Sequence, residues 1–428
     1  MNNMKLQSIN SFNSQPMNDR KIKPISSLQL KSFGLSRDSV KKVDTLEELK
    51  KQPLNIVVAD CKQNVGFMQN FFKQQHLKKK AKYVMGLGIF QQLHFDMERN
   101  VKVLEPSRIK FNNIYKPYIG QDLSNKTLLV SRTGGIGDLL FIQPNLRHLK
   151  EKYPNCIIKF ACGPQYRAMV ESWDCLDIIL DLPFTIQHLV TADYHAFFEG
   201  VIERCREAET KNAYNLFSRW LGLDLPDEKL LPIQVPVSKK IEESFEILDK
   251  FSLKSKDFIM MQLRASSPIR CPSPELWIKL IDKLTDRGYN ILITDNPLQA
   301  EAIDKYLSLV KNKDKVFNYC TYSKTLADTI AMTSLSNAVI STDSALLHLA
   351  ASLQIPLYGL YGPFPGKIRL STYPKAKWIE GTWDCCPCFV HGMKPCKQAK
   401  ERNLNYSPCY DSINLDKIVE DVEGLMND

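Results

Sequence analysis

The sequence predicts an α/β protein: two doubly wound parallel-sheet domains facing across a cleft, preceded by a small N-terminal module. Three observations predict it. From Thr127 onward, short β-favouring runs alternate with amphipathic helical stretches, the pattern of parallel strands with helical crossovers. The alternation runs twice, broken at Leu230–Val237, where Pro232 and Pro236 read as an extended linker. In each set a polar turn joins a strand to a helix, at the strand end where open α/β sheets take their ligands.

Composition supports a globular chain. Of 428 residues, 44% are hydrophobic and 24% charged, enough apolar material for two or three domains. No apolar run approaches the ~18 residues of a membrane span. The opening MNNMKLQSINSFNSQP lacks the apolar core of a secretory signal. The expectation is a cytoplasmic protein, with the inner face of a membrane left open. The net charge of +10 suits nucleic acid, anionic lipid or phosphorylated substrates. Part of it is a local basic face at Lys73, Lys78, Lys79, Lys80 and Lys82.

Residues 1–35 read as a flexible lead-in, polar and without apolar period. Residues 36–120 form a small module of unassigned fold. In it Leu46–Lys51 and Gly66–Gln75 look helical, and Leu54–Ala59, Tyr83–Gln91, Val101–Leu104 and Ile109–Phe111 look extended. Residues 121–235 make the first α/β domain. Its strands are expected from Thr127 and at Cys156–Ala161, Ile178–Leu182 and Tyr194–Phe198. Its helices are expected from Asp138 and at Gln165–Ser172 and Asn212–Leu221. Residues 236–428 make the second. Strands are expected at Phe258–Leu263, Tyr289–Thr294, Ala338–Ser341 and Leu357–Leu360. Helices are expected at Ile241–Phe251, Pro274–Arg287 (closed by Gly288), Leu298–Leu309, Thr325–Thr333, Ser344–Leu353 and Asn414–Met426.

Four stretches carry chemistry. In Thr127–Pro144 a strand breaks at Gly134-Gly135-Ile136-Gly137 and Asp138 opens a helix. These glycines permit positive φ and close approach of another group. Asp138 reads either as a helix N-cap or as a general base on the cleft floor. In Ser341–Ala351 small hydroxyls and bare amides open a helix whose dipole attracts phosphate. His348 follows one turn on, as a ligand-facing or a core histidine. Asp343 either caps this helix or accepts bonds from a sugar hydroxyl. Arg264-Ala265-Ser266-Ser267-Pro268-Ile269-Arg270 sets two hydroxyls and two guanidiniums at a strand end, which suits a diphosphate or an ordinary solvated loop. Gly359–Pro365 is a turn that would line the same cleft. The first turn is not the dinucleotide fingerprint GxGxxG.

Together these stretches resemble glycosyltransferase family 9, the ADP-heptose:lipopolysaccharide heptosyltransferases and their relatives. The carriers are Gly137-Asp138 to Pro144, Asp343 to Ala351 and Gly362-Pro363, over about residues 125–425. The resemblance implies a GT-B fold of two Rossmann-like domains, acceptor domain first and donor domain second. It implies an inverting sugar transfer without a catalytic metal, with Asp138 as base. Donor and phosphate binding would fall to Gly135, Gly137, Arg264, Ser266, Ser267, Arg270, Asp343, Ser344, Ala345, His348 and Gly362. Arg270 stands where the family often has lysine, which turns a point charge into a fork. Ser344-Ala345 stands where Thr-Gly is common.

Five of the 12 cysteines crowd between Cys385 and Cys409. Cys385, Cys388, Cys396 and Cys409 are spaced for a structural zinc or iron site, with Cys386 spare and His391 an alternative donor. Free thiols in a loop are the plain alternative. A similar cluster occurs in a family branch that heptosylates bacterial autotransporter proteins, where it binds iron. The expected partners are a nucleotide-sugar donor and a glycan, lipid-linked or protein acceptor, with no nucleic acid; membrane contact and homo-oligomerisation stay open. Two other readings stand beside transfer: a nucleotide-sugar epimerase or hydrolase of the same fold, and a non-catalytic binding or assembly module.

Overall fold

The structure is a computed structural model. It describes residues 40–51, 57–58, 82–85, 92–95, 103–105, 115–132, 135–182, 186–198, 201–202, 205–223, 225–226, 240–390 and 396–427. The lead-in 1–35, the expected elements Gly66–Gln75 and Ile109–Phe111, the linker Leu230–Val237 and His391 lie outside these residues.

The N-terminal module holds β1 (Val40–Lys42), α1 (Leu46–Lys50), β2 (Val57–Val58), β3 (Lys82–Met85), β4 (Gln92–Phe95) and β5 (Val103–Glu105). The strands form a parallel sheet in the order β1-β5-β2 and an antiparallel β3–β4 pair. Of the single strand expected over Tyr83–Gln91, the described part lies in β3, which pairs antiparallel with β4.

The first α/β unit contains β6 (Thr127–Ser131), α2 (Ile136–Lys152), β7 (Ile157–Cys162), α3 (Arg167–Val170), β8 (Ile178–Asp181), α4 (Ile186–Val190), β9 (Tyr194–Phe197) and α5 (Ala213–Trp220). Its sheet is all parallel, in the order β8-β7-β6-β9. The central β6 is buried from Leu128 on, as expected of a strand covered on both faces. The helix expected over Gln165–Ser172 is shorter, a 3-10 turn at Pro164–Tyr166 and then α3. Asn212 caps α5 by accepting from the Asn215 amide.

The second unit contains α6 (Ile241–Lys250), β10 (Phe258–Gln262), α7 (Pro274–Asp286), β11 (Asn290–Ile293), α8 (Ala300–Leu307), β12 (Val316–Asn318), α9 (Leu326–Leu335), β13 (Ala338–Thr342), α10 (Ala345–Ser352), β14 (Leu357–Tyr361), α11 (Gly366–Leu370), β15 (Ala376–Glu380), α12 (Lys397–Glu401) and α13 (Leu415–Asn427). Its parallel sheet runs β12-β11-β10-β13-β14-β15. Counted from β10, that is the strand order 3-2-1-4-5-6 of doubly wound dinucleotide-type sheets. Ser273 caps α7 with Pro274 behind it, and Thr325 with Asp328 closes a capping box on α9. The helix expected from Leu298 starts at Ala300, because Asn296 and Pro297 first impose a 3-10 turn.

Both sheets reverse direction beside their first strand, β6 in one and β10 in the other. Ligands of such sheets bind at that reversal, beyond the carboxyl ends. The helix leaving each reversal packs on the other: α2 lies against α10. One apolar cluster runs through this contact, with Leu139, Leu140 and Tyr214 from the first unit and Leu346, Leu347 and Tyr373 from the second.

Candidate active site

The first turn sits at the end of β6. Gly135 precedes α2 with φ +83°, a conformation that side chains resist. It makes no side-chain cap, so the N-cap reading of Asp138 is corrected: Asp138 is the third helical residue. Its carboxylate meets a partner absent from the sequence reading. Arg132 Nη2 donates to Asp138 Oδ2 at 2.6 Å, and Arg132 Nη1 donates to the Phe198 carbonyl at 2.7 Å. A β-carbon on Gly135 would fall 2.5 Å from that same Oδ2. Gly135 therefore serves the backbone turn and leaves room for the carboxylate at once.

Gly137 has another task. A β-carbon there would lie 2.7 Å from Cδ2 of His348. His348 is on α10, so the two domains touch through a bare glycine and an imidazole. The ring also meets Phe141 edge-on, 4.8 Å between centroids. His348 Nδ1 is 2.7 Å from the Tyr373 hydroxyl, which lies 3.2 Å from the Tyr214 hydroxyl across the domain boundary. Burial pushes the His348 pKa down to about 4, so the ring is neutral near pH 7. His348 is thus a buried contact residue at the seam.

The second and third stretches meet at the ends of β10 and β13. Arg270 Nη1 donates to the Asp343 carbonyl at 2.9 Å and lies 3.5 Å from its carboxylate. Arg270 Nη2 donates to Ser266 Oγ at 2.9 Å. Ser344 caps α10, and its hydroxyl lies 2.8 Å from Ser341 Oγ and donates to Gln262 Oε1. Ala345 is the first residue of α10 and half-buried; Ser267 and Asp343 are buried. The site thus presents a guanidinium, a carboxylate and the amides of a capped helix start. Arg264 turns elsewhere, to the Gln299 side chain.

Sequence reasoning also missed Arg369. It stacks on Phe364 at 5.0 Å, and its charge, like that of Arg270, acts on His348. The signal was present in the turn Gly359–Pro365, whose next helix carries this arginine. Gly362 itself packs against the segment that carries Cys409 and Tyr410. A β-carbon on it would meet Cys409 Sγ at 2.7 Å and the Tyr410 ring at 2.9 Å.

That contact leads to the cysteines. Cys385, Cys386, Cys388, Cys396 and Cys409 line one pocket with Trp383, Ile269 and Pro363. Cys409 shares a hydrogen bond with Cys386, which pulls the Cys386 thiol down to about 7 and pushes Cys409 up. Cys396 Sγ accepts from the Ala399 amide at the start of α12. The donor types suit a soft metal ion. They share one pocket, although among the described residues no three His, Cys, Asp or Glu groups stand close enough together to hold an ion as they are placed.

Residues 202–397 match the family model described as glycosyltransferase family 9 (heptosyltransferase). Over these residues, less than half of its length, the chain is similar to glycosyltransferase family 9. The match does not reach Thr127–Pro144. The chain is 27% identical over 151 residues to lipopolysaccharide heptosyltransferase 2 of Escherichia coli K12, covering 33% of this chain and 40% of that relative. The alignment thus spans well under half of the curated relative's length. Two solved structures share the fold of this chain. E. coli ADP-heptose lps heptosyltransferase II is 18% identical with TM-score 0.54, covering 71% of this chain and 98% of that one. The dodecameric iron-containing heptosyltransferase TibC of enterotoxigenic E. coli, in complex with ADP-D-beta-D-heptose, is 12% identical with TM-score 0.50, covering 72% and 78%. The two parallel sheets, of four and six strands, match the GT-B architecture of these structures.

Proposed function

We propose that the chain is an inverting glycosyltransferase that moves a heptose or related sugar from a nucleoside diphosphate, ADP-heptose first, to a hydroxyl of a glycan, lipopolysaccharide or protein. The observation that carries this reading is the meeting of the two switch-point helices, which brings the Asp138 turn beside the start of α10 through Gly137 and His348. Asp138 takes the proton of the acceptor hydroxyl as its oxygen attacks the sugar's anomeric carbon. The bond to the diphosphate breaks on the opposite side, so configuration inverts. Charge grows on the departing diphosphate, where Arg270 and the α10 amides are fixed in place. Arg369 adds to the positive field.

The test incubates the purified chain with labelled ADP-heptose and a panel of acceptors. Transfer with ADP release is expected. Asp138→Asn should cut turnover at least 100-fold and leave ADP affinity within about threefold. Equal ADP release with and without acceptor would make it a hydrolase; ADP binding with no turnover would make it a binding module.

We also infer that the thiols of Cys385, Cys388, Cys396 and Cys409 draw together around a structural zinc or iron, pinning the loop before α13. About one metal per chain is expected on elemental analysis, lost in Cys409→Ser. Metal-free protein after anaerobic purification would overturn this. No step of the transfer passes through it.

A further inference from the structure

We propose that Arg132 is a positioning residue for the transfer, holding one oxygen of Asp138 so that the other faces the incoming hydroxyl. This rests on the reading of Asp138 as the base.

The placement of Arg132 is unusual for an arginine. Its side chain is 7% exposed, against 27% for Asp138. A buried guanidinium is retained only where its donors are satisfied, and its satisfaction fixes it. Nη1 is spent on the Phe198 carbonyl, just past β9. The backbone amide of Arg132 donates to the Ala161 carbonyl of β7 at 3.1 Å. The residue is thereby tied to both neighbours of β6, and its Nη2 is aimed at Asp138 Oδ2.

The carboxylate is held from the other side as well. The absent side chain of Gly135 leaves the space that Oδ2 fills. A carboxylate in the first turn of a helix otherwise swings between rotamers. A base has to reach its proton at about 2.6–3.2 Å, and a misplacement of about 1 Å costs on the order of 100-fold. Lysine would keep the charge but not the fork that grips two acceptors.

The step balances with Arg132 as a bystander. The hydroxyl proton passes to Asp138, the oxygen bonds the anomeric carbon, and the diphosphate leaves with the bonding pair. Arg132 stays protonated and donates to the acid's carbonyl oxygen.

The experiment uses the full chain, ADP-heptose and the same panel of glycan, lipopolysaccharide and protein acceptors, with rates compared on the acceptor that the wild type uses. Arg132→Ala should lower kcat about 100-fold with the ADP dissociation constant within twofold. Millimolar guanidinium chloride should restore at least tenfold of that loss, and Arg132→Lys should retain about a tenth of the wild-type rate. In the Asp138→Asn background Arg132→Ala should cost nothing further, since Arg132 works only through that carboxylate. Multiplying losses in the double variant, or no rescue by guanidinium, would overturn the proposal. A wild type without turnover, or an active Asp138→Asn, would overturn instead the reading on which it rests, and this proposal with it.

Discussion

Gly137 touches the His348 ring. The contact joins two helices that belong to different sheets, and it leaves no room for a methyl group on the glycine side. Gly137→Ala should therefore force α2 and α10 apart, at a cost of about 2 kcal/mol, in the range of core overpacking. Thermal melts check this, and His348→Ala should recover most of the loss when combined with it. Additive losses in the double variant would show that the ring and the glycine do not meet.

Arg270 holds the Asp343 carbonyl and Ser266 with separate nitrogens. Arg270→Lys keeps the charge and loses the fork, so ADP should bind about tenfold more weakly by titration calorimetry. Arg369→Gln should raise the donor KM severalfold with kcat nearly unchanged. An unchanged donor KM would place Arg369 outside the donor field.

Two buried histidines make the fold acid-sensitive. Burial pushes both His195 and His348 down to about 4. His195 also accepts from the Lys116 amide on Nδ1, with Nε2 2.8 Å from the Leu189 carbonyl. The unfolded chain takes up these protons first, near the ordinary value of 6.5. Stability is then intact above about pH 6.5 and falls as pH drops toward 4, by roughly 2 kcal/mol per ring at pH 5. Urea melts at pH 7 and pH 5 measure it. A flat profile would mean that protons reach the rings in the folded state.

Gln143 is fully buried in α2, and neither side-chain polar atom has a partner among the described residues. Removing a stranded amide stabilises a core. Gln143→Met should raise stability by about 1 kcal/mol, seen as a higher melting temperature. A lower one would point to an ordered water on the amide.

The double α/β pattern was legible because parallel strands covered on both faces read as apolar runs, such as FIMM in β10 and AVIST in β13. The edge strands β12 and β15 were not: the first has three residues and the second is only half-buried, so neither carries such a run. The candidate site was legible where chemistry is local, at Asp343–Ser344 and Arg270. It was not where function depends on a contact across the fold. Arg132 is not among the residues singled out from the sequence, and the His348 ring beside Gly137 comes from a helix of the other sheet.

The order of the strands has a consequence for synthesis. Each sheet is begun from its middle: β6 precedes β9, and β10 precedes β13. Gln262 and its neighbour Ser341 are 79 residues apart in the chain. As the polypeptide leaves the ribosome, an apolar central strand of the second sheet emerges with one flank bare and waits for the chain to come back. That interval, rather than the finished fold, is when this protein is most exposed to aggregation and most in need of a chaperone.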